Sequence, residues 1–228
     1  GLIHISKLEN KMANAIVDER SSNGKYKSLE DFIQRVRPGI EQLLLLVKVN
    51  ALRFTDKLKS QLLWEAHLFQ KTNKQPPKTN RLFESSSKQF SLPTLTHNTL
   101  EDAYDEIELL GFPVSTTFFN MLKTNFRGEI RACELDNMIG KKVRMIGLLV
   151  TIKYVKTVKS ELMHFGTFLD DKGEFFDTTH FPDSLKRYPF RGHGVYLILG
   201  KVVTEFGYAS IEVEKLAKLP LQGDPREE

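Results

Sequence analysis

The stretch from Lys141 to Lys215 constrains the fold most, because nearly all of it divides into short segments rich in Val, Ile, Phe, Tyr and Thr. Residues of these types favour β-strands, and turn signals such as Asp170-Asp171-Lys172-Gly173 and Glu205-Phe206-Gly207 separate the segments. A short helix that begins with a proline, Pro182 to Tyr188, is expected between the third and fourth strands. The predicted strands are Val143–Lys153, Leu162–Leu169, Glu174–Phe181, Val195–Thr204 and Tyr208–Leu216.

The order of these elements is that of an OB-fold, a five-stranded barrel that binds oligonucleotides on one face. The charge pattern agrees with such a use, because the stretch from Lys141 to Ser160 has six basic residues and no acidic one. A groove that follows a single nucleic-acid strand needs cations for the phosphates and flat rings for the bases. The predicted single-strand site consists of Lys141, Lys142, Arg144, Lys153, Tyr154, Lys156, Lys159 and Phe165. The alternative is a solvated strand end with Tyr154 in the core.

Composition and charge set the limits of these expectations. With 228 residues, 40% of them hydrophobic, the chain favours two small domains with a linker over one compact unit. The net charge of +4 permits nucleic acid as a partner without requiring it. Cys133 is the only cysteine, which excludes an internal disulfide and a zinc site of paired cysteines and favours a reducing, cytoplasmic compartment.

Neither a membrane span nor a signal peptide is expected, because no apolar run approaches about 18 residues and no basic segment followed by an apolar core opens the chain. Gly1 leads directly into a segment of apolar periodicity. This beginning favours a piece cut from a longer protein.

The first part of the chain has helical periodicity with stop signals at Ser21-Ser22-Asn23-Gly24 and Arg37-Pro38-Gly39. Helices are predicted over Asn10–Arg20, over Ser28–Arg35 with Ser28 as its cap, over Ile40–Val49, and from a cap at Thr55 or Asp56 to Phe69. Short helices joined by turns of a few residues indicate helical hairpins.

The composition then changes to that of a flexible linker at residues 71–98, which has Pro76-Pro77, Ser85-Ser86-Ser87 and few apolar residues. Two small apolar islands stand in it, Leu82-Phe83 and Phe90 with Leu92, and each either docks on the parent protein or contacts a partner. The fold class is therefore an α+β multidomain chain. Its predicted parts are a helical segment at 1–70, the linker at 71–98, connecting helices at 99–140, the OB-fold domain at 141–219 and a polar tail at 220–228.

The connecting region begins with a helix over Leu100–Leu110, ended by Gly111, and Ser115 or Thr116 is expected to cap a further helix through Leu122. The first helix carries a cluster of carboxylates that invites a metal interpretation. Apolar residues occupy its other side, so a solvated helix face is favoured over a metal site. The clustered residues are Glu101, Asp102, Asp105, Glu106 and Glu108.

No catalytic or metal site is predicted, since glycine-rich phosphate loops, HExxH and GxSxG are absent from the sequence. His164 and His180 lie in predicted strands and could meet in space. Two histidines without a nearby cysteine are better interpreted as polar barrel-face residues than as metal ligands.

Four stretches of the sequence, in order, carry a family resemblance over essentially the whole chain. They are GLIHISKLENKMANAIVDERSSNGKYKSLEDFIQRV, ELLGFPVSTTFFNML, VRMIGLLVT with the Lys-rich segment after it, and DDKGEFF followed by HFPDSLKRY. Together they resemble the C-terminal third of the alpha subunit of bacterial DNA polymerase III, a family C DNA polymerase. The resemblance implies a helix-hairpin-helix segment near duplex DNA and an OB-fold that contacts single-stranded template.

The family's hairpin usually carries Gly-x-Gly, because glycine lets the backbone approach a phosphate closely. Lys7-Leu8-Glu9-Asn10 stands at that position here. The resemblance therefore implies only a weak duplex-phosphate site at Lys7, Asn10 and Lys11, which glycines in place of Leu8 and Asn10 are expected to strengthen.

The resemblance also implies partners and missing parts. The family's sliding-clamp motif would fall in the linker, at Gln89, Phe90 and Leu92 or alternatively at Leu82 and Phe83. The polymerase domain lies outside this chain, so no cofactor is expected in the fragment, and Mg²⁺ is expected only in that absent domain. The expected partners are single-stranded and primer-template DNA, the clamp, and other polymerase III holoenzyme or repair-synthesis subunits. The parent is either a replicative polymerase or one of the error-prone branch.

Two functions from other classes remain. One is an RNA- or tRNA-binding OB-fold protein, which a competition between DNA and RNA would distinguish, since only RNA has the 2′-hydroxyl. The other is a scaffold whose barrel face contacts proteins, which flat binding to all oligonucleotides at low salt would favour.

Overall fold

The computed structural model describes residues 1–72, 98–156, 160–205 and 207–227. Within them the chain forms two compact units, one of Gly1–Thr116 with Asp224–Glu228 and one of Thr117–Gly223. We call these the helical unit and the barrel unit. The predicted linker islands and clamp-binding residues lie outside the described residues, as does Lys159.

The described part of the helical unit contains five α-helices, and local sequence signals explain where they begin and end. The Ser28 hydroxyl accepts a hydrogen bond from the Asp31 amide at 3.0 Å, and the Asn98 side chain accepts one from the Leu100 amide at 3.0 Å. Gly24 and Gly111 follow their helices with φ of 78° and 86°, a conformation that glycine adopts without strain. The helices are α1 (Asn10–Asn23), α2 (Leu29–Val36), α3 (Ile40–Lys48), α4 (Lys59–Thr72) and α5 (Thr99–Leu110).

The core of the helical unit collects apolar residues from all five helices. Phe32 is 2% exposed and Leu46 is 1% exposed, and burial of such a side chain stabilises a fold by roughly 1.5–3 kcal/mol. Leu109 of α5 belongs to the same cluster, so α5 packs with the helices that precede it in the sequence. The buried members are Ile5, Ile16, Leu29, Phe32, Leu43, Leu46, Val47, Val49, Leu52, Leu62, Ala66 and Leu109.

The expectation of a solvated acidic face on α5 is wrong at two positions. Glu106 is fully buried, and its Oε2 accepts hydrogen bonds from the Val114 amide at 2.6 Å, the Ser115 amide at 2.8 Å and the Ser115 hydroxyl at 3.0 Å. The carboxylate thus satisfies the backbone that follows the helix. This contact also engages Ser115, and residues 111–122 form turns and bends where a further helix was expected.

Asp105 is the second buried carboxylate of α5, and three cations surround it. Its side chain lies 2.8 Å from Arg226, 3.5 Å from Lys48 and 3.9 Å from Lys59. Arg226 also forms a bidentate pair with Asp224, with the shortest N–O distance at 2.6 Å. Through these contacts the last described residues of the chain belong to the helical unit.

The barrel unit contains five strands and one α-helix, which confirms the expected fold class. They are β1 (Lys142–Lys156), β2 (Leu162–Leu169), β3 (Phe175–His180), α6 (Pro182–Arg187), β4 (Val195–Glu205) and β5 (Tyr208–Lys218). Four strand pairs are antiparallel, and β3 with β5 is parallel. The strand order β1-β2-β3-β5-β4 closes on itself, as an OB-fold requires.

The inward side chains of all five strands fill the barrel. Phe168, Tyr196, Ile198 and Ile211 are fully buried there. A 3-10 helix over Ala132–Met138, which the sequence did not indicate, packs Leu135 onto this core. Where the chain enters and leaves the unit, Leu122 and Leu221 form an antiparallel bridge.

Candidate nucleic-acid interface

The outer face of β1, β2 and β3 is the candidate interface, and strand register decides which residues share it. Lys153 of β1 pairs with Phe165 of β2, and Phe165 pairs with Thr179 of β3. Successive side chains of a strand point to opposite sides, so these three lie on the side opposite the buried Gly166 and Phe168, although Thr179 is itself covered and only 2% exposed. Thr167 and Asp177, also paired across β2 and β3, extend the same face.

A β-bulge at Val150 divides β1 into two halves. The register shifts between Leu149 and Thr151, and Val150 is 46% exposed. A bulge bends its strand and increases the local twist. Lys142 to Leu148 pair with β4, whereas Leu148, Leu149 and the residues from Thr151 to Lys156 pair with β2.

Two predicted basic residues, Lys153 and Lys156, lie on the second half of β1, and Lys153 shares the outer side with Phe165, whereas Lys156 points to the opposite side of the strand. Lys153 and Lys156 are exposed, and neither has an ion-pair partner among the described residues. Their charges therefore remain available for phosphate. Phe165 is half-buried between Lys153 and Thr179, so an edge or face of its ring borders the same surface.

The other predicted basic residues do not join them. Lys142 and Lys153 are eleven positions apart, which is roughly 36 Å along a strand. The Lys142 ammonium lies 2.6 Å from Glu214, and the Arg144 guanidinium lies 2.6 Å from Glu129 and over the Phe126 ring. Lys141 precedes the strand, where its ammonium contacts the Met138 sulfur at 3.9 Å. The described members of the basic cluster are thus divided, with Lys141, Lys142 and Arg144 at the beginning of β1 and Lys153 and Lys156 near its end.

Tyr154 lies on neither the core nor the outer face. It faces the inner side of β1 beyond the end of the barrel, is 65% exposed, and contacts the His164 ring edge-to-face at 4.5 Å. His164 pairs directly with His180 across β2 and β3, and Phe190 stacks near both rings. The two histidines therefore meet, on the inner side at one end of the barrel.

His180 is fully buried, and burial, with a smaller contribution from His164, lowers its pKa to about 3. Burial also lowers the pKa of His164. The His180 Nε2 atom lies 2.8 Å from the Thr178 hydroxyl, which donates to the Gly166 carbonyl. That hydroxyl has only its acceptor side left, so neutral His180 carries its proton on Nε2. Within the described residues no group of three His, Cys, Asp or Glu side chains could hold a metal ion.

Two aromatic residues of the outer surface were not included in the site predicted from the sequence. Phe175 is 66% exposed and Tyr208 is 80% exposed. Phe175 precedes the buried Phe176 in β3, and two consecutive residues of a strand cannot both face the core. This alternation was the signal in the sequence that pointed to an outward phenylalanine.

The hairpin before α1 has the glycine conformation at a position other than the expected ones. Lys7 has a φ of 66°, a left-handed conformation that costs a non-glycine residue roughly 1–2 kcal/mol. Leu8 is half-buried against the helical core, and Asn10 is the first residue of α1. The glycine position of this turn is thus Lys7, and the expectation for Leu8 and Asn10 is corrected.

The amides of this hairpin are largely satisfied within the helical unit. The Ser6 amide donates to the Leu109 carbonyl at 2.8 Å, and the Leu8 amide donates to the Ile5 carbonyl at 3.3 Å. The Glu9 amide donates to Gln42 Oε1 at 2.9 Å, while Gln42 Nε2 donates to the Lys7 carbonyl at 3.3 Å. Donors already bonded in this way are poorly placed to receive a phosphate.

Residues 1–62 match a family model described as the helix-hairpin-helix motif. The DNA polymerase III subunit alpha of Borreliella burgdorferi (strain ATCC 35210 / DSM 4680 / CIP 102532 / B31) is 30% identical to this chain over 241 aligned residues. The predicted resemblance to the DNA polymerase III alpha subunit is confirmed. The match covers 96% of this chain and 21% of that subunit, so the chain spans about a fifth of the length of the curated relative it matches.

The solved structures that resemble part of this chain have low TM-scores. The single-stranded DNA binding protein from Thermus aquaticus has a TM-score of 0.32 and 15% identity, over 36% of this chain and 41% of that one. The OBody AM1L10 bound to hen egg-white lysozyme has a TM-score of 0.35 and 16% identity, over 44% and 99%. The closed five-stranded barrel, rather than these scores, establishes the OB-fold. No helix among the described residues is long and apolar enough to cross a membrane.

Proposed function

We propose that this chain is the DNA-handling C-terminal part of a bacterial DNA polymerase III alpha subunit, and that its barrel binds single-stranded template. The observation that carries the proposal is the pairing of the exposed Lys153 with Phe165 on the outer face, with a second exposed lysine, Lys156, at the end of the same strand. Cations for phosphates beside a ring for bases are what a single-strand groove needs. The similarity to an alpha subunit over nearly the whole chain supports DNA as the nucleic acid.

The parent protein is proposed to be a cytoplasmic DNA-directed DNA polymerase that acts in replication or in error-prone repair synthesis. Its Mg²⁺-dependent active site would lie in a domain outside this chain, and the chain itself would have no catalytic role. The partners would be primer-template DNA and other polymerase III or repair-synthesis subunits. The helical unit would lie near duplex DNA but hold it weakly, because Gln42 and the Leu109 carbonyl already bond the hairpin amides.

Salt dependence tests the single-strand site. Binding of a labelled oligo(dT) to the whole chain, followed by fluorescence anisotropy, should weaken steeply between about 50 and 200 mM salt. Lys153→Ala with Lys156→Ala should flatten the log–log slope by about 1.4, at roughly 0.7 per lost phosphate contact. The comparison variant, Lys141→Ala with Lys142→Ala, removes the same charge at the beginning of β1, where Lys142 is already paired with Glu214. We expect it to change the slope by less than half as much.

Two results would contradict this placement. If the folded Lys153 and Lys156 double variant kept the parent's log–log salt slope, the second half of β1 would not contact phosphate. A larger effect of the Lys141 and Lys142 variant would move the site to the first half. Competition with an RNA oligonucleotide of the same sequence addresses the RNA-binding alternative, since a clear preference for RNA would reject template DNA as the ligand.

The sliding clamp is the proposed protein partner, on the strength of the sequence alone. A peptide spanning Lys88 to Leu95 is expected to bind the clamp weakly, because Gln89, Phe90 and Leu92 offer one glutamine and two apolar anchors within an otherwise polar stretch. Leu92→Ala should weaken binding by on the order of 1–3 kcal/mol. A calorimetric titration should compare this peptide with one centred on Leu82 and Phe83. Binding by the second peptide only would move the motif, and binding by neither would contradict a clamp contact in this segment.

A further inference from the structure

Two exposed aromatic side chains, Phe175 and Tyr208, lie on neighbouring strands of the barrel. They are 66% and 80% exposed, and Tyr208 has the largest exposed fraction among the large apolar and aromatic residues described. Aromatic rings carry a large apolar area that water solvates poorly. Two exposed rings on one surface therefore indicate a binding site for a ligand with flat or apolar groups.

The strand register puts the two residues on the outer side of neighbouring strands. Thr178 of β3 pairs with Ile211 of β5 in parallel, and both residues are fully buried inside the barrel. Phe175 and Tyr208 each precede one of these residues by three positions, so they stand at the same level and face outward. Phe175 also pairs with Leu169 of β2, which continues the surface toward Phe165.

Charge divides this outer surface between its strands. On the outer side, Lys153 stands on β1, whereas Asp177 stands on β3 and Glu212 on β5. Asp177 is exposed, and its carboxylate accepts a hydrogen bond from the Thr167 hydroxyl at 2.7 Å. Glu212 is exposed and pairs in register with Thr179. Carboxylates repel phosphate, so a nucleic-acid backbone is favoured along β1 and disfavoured along β3 and β5.

We propose that Phe175 and Tyr208 form a platform on which unpaired bases of the bound strand stack, while its phosphates lie along β1 at Lys153 and continue toward the exposed Lys156 at the end of that strand. The inference rests on the proposed single-strand function and specifies how the strand lies: phosphates over β1, bases over β3 and β5. Stacking involves the flat face that every base has, so this contact does not depend on the nucleotide sequence. The ligand class is therefore single-stranded nucleic acid with accessible bases, of any sequence.

Replacement of the rings tests the platform. Phe175→Leu and Tyr208→Leu should each weaken oligo(dT) binding by about 5- to 100-fold, the range of one lost base–aromatic stack, and leave the salt slope unchanged because no phosphate contact is removed. Both side chains are mostly exposed, so the variants should keep the circular dichroism spectrum of the parent chain. Phe181→Leu is the matched control, since Phe181 is 39% exposed on the same barrel but precedes α6.

An oligonucleotide whose central positions are abasic provides a second readout. The parent chain should bind it as weakly as the Phe175→Leu, Tyr208→Leu double variant binds oligo(dT), and the double variant should not distinguish the two ligands. Wild-type binding by the double variant, with a slope that still depends on Lys153 and Lys156, would overturn the platform and leave the single-strand function standing. A flattened slope in the ring variants would also overturn it, because the rings would then act through phosphate contacts. A slope that no variant changes, in chains that bind equally well, would reject both proposals.

Discussion

Replacement of Glu106 by leucine is expected to destabilise the helical unit by roughly 1–3 kcal/mol, because two backbone amides and one hydroxyl would lose the acceptor that the buried carboxylate provides. The Glu106 side chain is fully buried, and a single oxygen accepts all three bonds from Val114 and Ser115. Leucine fills a similar volume, so the loss would arise from hydrogen bonding more than from packing. Trp64 is the only tryptophan and belongs to the helical unit, so its fluorescence during urea unfolding measures this unit alone.

The matched control for this change is Glu108→Leu on the same helix. The Glu108 side chain is 58% exposed, and its nearest cation, Lys7, is 3.9 Å away, so the change should alter stability by less than about 1 kcal/mol. Glu106→Gln keeps an oxygen acceptor and should fall between the two. Equal unfolding midpoints for the Glu106 and Glu108 leucine variants would show that the buried carboxylate does not hold the turn.

The barrel is expected to lose stability as the pH falls from about 6.5 toward 3, because of His180. Its pKa in the folded chain is about 3, against 6.5 when exposed, since burial disfavours the imidazolium. Below pH 6.5 the unfolded chain binds a proton that the folded chain does not, so the stability is complete above 6.5 and declines as the pH decreases. The decline is about 1.4 kcal/mol per pH unit, up to on the order of 3–5 kcal/mol at pH 3. The pKa of His164 is shifted in the same direction and adds to it.

Amide hydrogen exchange of buried strand residues such as Ile198 and Val202 measures this loss in the barrel itself. His180→Gln should flatten the pH dependence by about 1 kcal/mol per unit between pH 6 and 4, because glutamine can donate to Thr178 but does not titrate in that range. His193→Gln, at an exposed histidine of the same unit, is the control and should retain the full dependence. A parental slope in the His180 variant would assign the acid sensitivity to other groups.

The strands were predictable because their signals are local. The bounds of β2 agree with the prediction at both ends, since the alternation of side chains runs between clear turn residues. The first strand extends to Lys156, three residues beyond the prediction, because its exposed end is held by pairing with β2. Pairing with β2 involves a separate segment of the chain, so the residue pattern of β1 alone could not predict where this strand ends.

The candidate site was predictable only in part, because it depends on which residues share a surface. Proximity in sequence placed six basic residues together, whereas a long bent strand separates Lys142 and Arg144 from Lys153. Helical periodicity assigned Glu106 to solvent, since it could not show that the chain after Gly111 returns to bond this carboxylate. The outward orientation of Phe175 could have been predicted from the alternation of residues in its strand. The position of Tyr208 near Phe175 could not, because it depends on the parallel pairing of β3 with β5.

The ion pairs of Arg226 make the barrel an insertion within the helical unit, because the chain leaves that unit after Thr116 and returns to it at Asp224. Two covalent connections therefore join the units, and cleavage of one would leave the other intact. The Leu122–Leu221 bridge holds the two ends of the insertion side by side, and the Gln222 amide adds a bond to the Met121 carbonyl at 2.8 Å. A helical unit expressed only to Thr116 would lack Arg226 and leave Asp105 with two lysines. If residues 117–223 are replaced by a short bridging peptide, all three cations around Asp105 remain. This deletion, rather than truncation at Thr116, is therefore the appropriate way to isolate the helical unit.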